Sequence, residues 1–200
     1  MSFLDSLTKI IDWIWGFSLA KKKVKIAILG GKGSGKTELW RALQGKKNTS
    51  EGGTSIDQIP TFDLDDKVSV IKTLDIGGGD DWVGYEYDKL IENSIFIFYL
   101  VDMTRIDEII NETRQRIRKI IPLKGKNCEL KIIATFFDKY KGTKEDAINE
   151  VYKKLFDKPI SGLPEDLNFK ENIQVMCTLK EEDIKELKNQ IINTVMKNGK

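Results

Sequence analysis

The spacing of apolar positions changes several times along the chain, and each change marks an element. Over residues 1–19, Phe3, Leu4, Leu7, Ile10, Ile11, Ile14 and Phe17 recur at helical intervals, with Asp5, Thr8, Lys9 and Asp12 largely on the other side. That pattern predicts an amphipathic helix over residues 1–20. Residues 24–29 form a short, mostly apolar strand, and residues 37–44 are helix-forming, with Gly45 placed as the stop. Residues 59–64 and 67–74 read as two strands joined by a turn at Asp65-Asp66. The unbroken apolar run 95–101, ending at Asp102, has the pattern of a central strand buried on both faces. A helix is expected over 106–121, stopping before Pro122, with the basic run 114–119 on its solvated face. The strand 173–176 and an amphipathic helix over 180–197, with Ile184, Leu187, Ile191, Ile192 and Val195 inward, close the chain. Alternating strands and helices predict an α/β fold.

Between the first of these strands and its helix stands Gly30-Gly31-Lys32-Gly33-Ser34-Gly35-Lys36-Thr37. The spacing is that of a P-loop. Its glycines let successive backbone N–H groups curl round phosphates, and the helix beginning near Lys36 aims its positive end at the same charge. Lys36 is expected on the β- and γ-phosphates, and the Thr37 hydroxyl on Mg²⁺. A second element follows at Asp75-Ile76-Gly77-Gly78, where Asp75 ends a strand. Asp75 is expected to hold Mg²⁺ through water and the Gly78 amide to sense a γ-phosphate. Between the two lies a polar, glycine-rich stretch in which Thr54 is the candidate for a second metal-binding hydroxyl, with Thr49 and Thr61 as rivals.

Composition narrows the chemistry. Two hundred residues suit one domain with a short appendage. Thirty-three basic and 31 acidic residues leave a net charge of +2, which gives no reason to expect a nucleic-acid partner. The chain has no histidine, which excludes Ser-His and Cys-His catalysis and histidine-ligated zinc. Cys128 and Cys177 make no metal or redox motif and suit a reducing, cytoplasmic setting. Trp13 and Trp15 at the end of the first helix, with Lys21, Lys22, Lys23 and Lys25 beyond it, suit the surface of an anionic membrane. Packing of that helix on the domain is the competing expectation.

These features together resemble a small Ras-like GTPase, and within that group the Arf and Sar branch. The resemblance rests on the leading helix running into lysines, on "GGKGSGKT", on "LDIGGGDDW" and on "FIFYLVDMTRIDEIINETRQRI". It implies a Ras-like G domain over 21–200 with a mostly parallel six-stranded sheet flanked by helices. It also implies bound GTP or GDP with Mg²⁺, a peripheral membrane location, and an exchange factor, an activating protein and an effector as partners.

Three departures from that pattern bear on function. The base-reading segment is Thr135-Phe136-Phe137-Asp138, in which Asp138 matches the guanine-reading aspartate and Phe136 replaces a lysine. Cys177-Thr178-Leu179 takes the place of the last base-contacting motif. Gly79 stands where the family carries a water-orienting glutamine or histidine, and Lys32 stands beside the γ-phosphate position. Lys36, Lys32 and Gly79 are thus the positions on which hydrolysis turns, and slow or partner-stimulated turnover is expected. The alternatives are a degenerate nucleotide-binding scaffold acting through partners and an ATP-dependent P-loop enzyme.

Overall fold

The computed structural model describes residues 21–46, 56–78, 85–156, 169–178 and 180–197. Among these, nine strand segments stand for the six expected strands, because three strands are each interrupted once. β1 (Lys22–Val24) and β2 (Ile26–Gly30) are separated at Lys25. There the chain changes neighbour: β1 pairs in parallel with β5 (Val68–Val70), and β2 in parallel with β7 (Phe96–Asp102). β3 (Ile56–Ile59) and β4 (Phe62–Asp63) are separated at Pro60, which has no N–H to give to a ladder. Their partners are β6 (Thr73–Ile76) and β5, and the register holds across the gap, with Ile59 opposite Thr73 and Phe62 opposite Val70. The hairpin turn forms where expected, with Asp65 Oδ1 accepting from the N–H groups of Lys67 and Val68. β8 (Glu129–Thr135) and β9 (Ile173–Val175) continue the parallel sheet beyond β7.

The helices are α1 (Lys36–Leu43), α2 (Tyr85–Ile91), α3 (Ile106–Leu123), α4 (Lys144–Phe156) and α5 (Glu181–Lys197). They cover both faces of the sheet, and the alternation of side chains along each strand feeds two cores. On β7, Phe96, Phe98 and Leu100 pack with α1 and α5, while Ile97, Tyr99 and Val101 pack with α2, α3 and α4. β2 divides in the same way, with Ile26 and Ile28 on one side and Ala27 and Leu29 on the other. Every residue of β7 is buried, as its unbroken apolar run predicts.

Two expectations need correction. α3 does not stop before Pro122 but runs through it to Leu123. In the last turn a proline forfeits only one helical hydrogen bond, and Lys124 N–H still reaches the Ile120 carbonyl at 3.1 Å. Nor is the basic run of α3 uniformly solvated: Arg116 is buried, on the same face as Thr113, Ile117 and Ile120. The predicted helix over 1–20 lies outside the described residues, and no helix among those described is long and apolar enough to cross a membrane.

Candidate functional site

The phosphate loop hangs between the end of β2 and the start of α1. Gly33 and Gly35 have φ of +76° and +92°, values that side chains with a Cβ rarely adopt, so the chain can curl back before the helix begins. At Gly30 an added Cβ would lie 2.6 Å from the Leu100 carbonyl oxygen, so the loop starts pressed against β7. Lys36, the first residue of α1, folds its ammonium back into the loop and donates to the carbonyls of Gly30 (3.1 Å) and Gly31 (2.9 Å). The loop therefore surrounds a cation. Burial pushes the Lys36 amine down to about 8, with Asp75 opposing that effect and Arg116 adding to it. Ser34 is buried at the base of the loop, its Oγ without a hydrogen-bond partner among the described residues, and Lys32 and Gly33 are exposed at the rim.

Thr37 and Asp75 come together although far apart in sequence. The Thr37 hydroxyl donates to Asp75 Oδ2 at 2.6 Å, because β6 runs beside β2 and delivers Asp75 to the foot of α1. Asp75 is 1% exposed and its Oδ1 has no hydrogen-bond partner among the described residues. Burial raises its carboxyl above the usual range, against the pull of Thr37 and Lys36. Asp57, directly across the β3–β6 ladder, adds a like charge that raises it further, a contribution the sequence pattern did not signal. An orphaned buried carboxylate oxygen beside a threonine hydroxyl fits a hydrated divalent cation, since oxygen donors of this kind suit Mg²⁺.

Gly78 sits directly on the loop. A Cβ there would fall 2.2 Å from the Lys32 nitrogen and 2.3 Å from the Gly31 carbonyl carbon, so only glycine permits this approach. Arg116 reaches the same place from α3, with Nη2 donating to the Gly78 carbonyl at 2.9 Å and Nη1 to the Gly30 carbonyl at 3.4 Å. Sequence reasoning missed Arg116 because it lay inside a run of exposed-looking basic residues. The helical interval from Thr113 and to Ile120 was the available signal.

At the other end of the site, Thr135 is 1% exposed and its hydroxyl faces the carbonyls of Ser34 (2.9 Å) and Val101 (3.2 Å). It ties the end of β8 to the phosphate loop. Phe136 takes a left-handed backbone conformation, φ +59°, and its ring stands half-buried outside both cores with Lys139 Nζ 4.9 Å from its centroid. Phe137 instead packs into the core beside α4, and Asp138 is exposed. Asp183 of α5 accepts from Cys177 N–H at 2.8 Å, which engages that donor, while Thr178 is half-buried beside it. Thr54, Gly79 and Leu179 lie outside the described residues, as does the rival Thr49. The other rival, Thr61, accepts from Lys72 N–H within the hairpin.

Residues 30–37, Asp75 and Gly78 thus meet at the carboxyl end of β2, tied to the end of β8 by Thr135, where open parallel sheets place their ligands. The family model described as the ADP-ribosylation factor family matches residues 8–195. No curated protein gives a significant match to the chain.

Proposed function

Because the chain belongs to the ADP-ribosylation factor family, a family of small GTP-binding switches, we propose that it is a Mg²⁺-dependent guanine-nucleotide switch at a membrane surface. Its GTP hydrolysis is slow, or depends on a partner. The carrying observation is the Thr37–Asp75 contact of 2.6 Å, with Asp75 Oδ1 orphaned beside a loop that already encloses a buried lysine.

In this reading Lys36 exchanges its loop carbonyls for β- and γ-phosphate oxygens, and the N–H groups of residues 31–37 supply the rest of the cradle. Mg²⁺, held by Thr37, by Asp75 through water and by Thr54, would neutralise charge on the phosphate oxygens. The Gly78 amide senses the γ-phosphate. Asp138 accepts from the two N–H donors on guanine's Watson–Crick edge that adenine lacks, and the Phe136 ring stacks on the base. With Cys177 N–H engaged by Asp183, the Thr178 N–H serves guanine O6. Gly79 has no side chain with which to orient a water, so nucleotide binds but intrinsic turnover is slow, and Lys32 beside the γ-phosphate supplies what transition-state charge stabilisation remains.

The test is titration of nucleotide-stripped protein with fluorescent GDP, GTP and ATP analogues, with and without Mg²⁺. Mg²⁺-dependent guanine preference is the expected result. Adenine preference or the lack of saturable binding overturns the reading.

A further inference from the structure

Arg116 takes no part in that chemistry, yet its placement joins the two nucleotide elements. It is 3% exposed, and burying a guanidinium is costly unless its donors are satisfied. Its two terminal nitrogens are engaged by backbone: Nη1 by the Gly30 carbonyl, where the loop begins, and Nη2 by the Gly78 carbonyl, from the segment after β6. Glu112, one helical turn back on α3 and half-exposed beside Gly31 of the loop, balances the charge with Oε1 2.5 Å from Nη2. The Gly78 backbone is at the same time pressed against the Gly31–Lys32 peptide. A rigid helix thus holds the segment after Asp75 down onto the loop through one charge-assisted bond of 2.9 Å.

We infer that Arg116 is a positioning residue that latches Gly78 on the phosphate loop and thereby sets the preference between nucleoside diphosphate and triphosphate. The inference rests on the switch reading above. A diphosphate needs only the loop and Lys36, and leaves Gly78 where it is. A third phosphate lies beside Lys32 and Gly78, so the Gly78 backbone, pressed against the Gly31–Lys32 peptide, must lift as a whole to make room for it. That movement takes the Gly78 carbonyl away from Arg116. The Arg116–Gly78 bond therefore opposes the triphosphate and not the diphosphate, which is the differential interaction that a two-state element requires.

Affinities for fluorescent GDP and a non-hydrolysable GTP analogue, in Mg²⁺, test this on the full chain and on Arg116→Met and Arg116→Lys. Arg116→Met is expected to raise the triphosphate-to-diphosphate affinity ratio by about tenfold, with diphosphate affinity changed by less than about twofold, and Arg116→Lys to fall between. An unchanged ratio, or an equal fall in both affinities, overturns the latch and leaves Arg116 a structural residue. If Arg116→Met gives no cooperative unfolding transition, Arg116→Lys, which keeps the buried charge and loses the forked donors, takes its place. The same ratio then decides, with a rise of about twofold to threefold expected. Failure of the unsubstituted chain to bind either nucleotide retires the switch reading and the latch with it. Binding with an unchanged ratio retires the latch alone.

Discussion

At the scale of single residues, the site is a place where charge is held under strain. Lys36 is 7% exposed, and its amine is pushed down to about 8 from the ordinary 10.5. Below about pH 8 the amine is charged in both the folded and unfolded chain, and the fold carries the whole cost, of the order of 3 kcal/mol. Between about 8 and 10.5 the unfolded chain holds the proton and the folded chain does not, so this contribution to stability rises with pH. Lys36→Met is therefore expected to raise the urea midpoint of the nucleotide-free protein at pH 7 while abolishing nucleotide binding. A lowered midpoint with retained binding would refute both the burial cost and the P-loop role. Phosphate groups restore the charge on Lys36, so nucleotide binding near pH 9 should take up protons, visible as a dependence of the binding heat on buffer ionisation enthalpy. Phe136 makes a separate case. Its half-buried ring belongs to neither core, so Phe136→Ala should cost little stability but weaken nucleotide binding by about 1–3 kcal/mol.

At the scale of elements, the ends matter more than the middles. α1 finishes in a Schellman arrangement, with Lys46 N–H on the Arg41 carbonyl, Gly45 N–H on the Ala42 carbonyl, and Gly45 at φ +70°. Nothing lies within 4 Å of a Cβ added at Gly45, so Gly45→Ala is penalised by its backbone conformation alone. A loss of about 1 kcal/mol in chemical denaturation, with nucleotide affinity unchanged, is expected. Gly78→Ala differs in kind, because its Cβ would strike the Lys32 nitrogen and force the segment off the loop. Its effect should appear in nucleotide affinity more than in the unfolding midpoint. The 3₁₀ turn Met103–Arg105 is capped by Asp102, which accepts from the Thr104 N–H and hydroxyl and so aims α3 along the sheet. That direction carries Arg116 to the loop.

At the scale of the whole molecule, a sheet packed on both faces supports the candidate site at one end. Four lysines, Lys21, Lys22, Lys23 and Lys25, follow residues 1–20, and Lys25 is engaged with the carbonyls of Lys89 and Glu92 at the end of α2. We propose that residues 1–20 bind acidic bilayers reversibly, through apolar burial helped by the neighbouring cations. Vesicles containing phosphatidylserine should sediment the full chain at low salt and release it at high salt. Removal of residues 1–19 should abolish sedimentation without altering nucleotide affinity. Equal sedimentation of the shortened chain would place membrane contact elsewhere.

Local chemistry was enough to specify the glycine-rich turn before α1, the hairpin turn at Asp65, the buried strand before Asp102 and the register of apolar positions on α5. Glycine spacing, turn residues and periodicity each act within a few neighbouring positions, and such rules are written in the chain itself. What required the folded molecule was anything carried across the sheet. Thr37 meets Asp75, Asp57 stands opposite Asp75, and Thr135 ties to Ser34 only because strand order brings β6 and β8 beside the loop. The same holds for Arg116, whose type and neighbours suggest solvent. Which face of α3 turns inward is decided by packing against the sheet, and burial there converts a surface cation into a clamp on two backbone carbonyls.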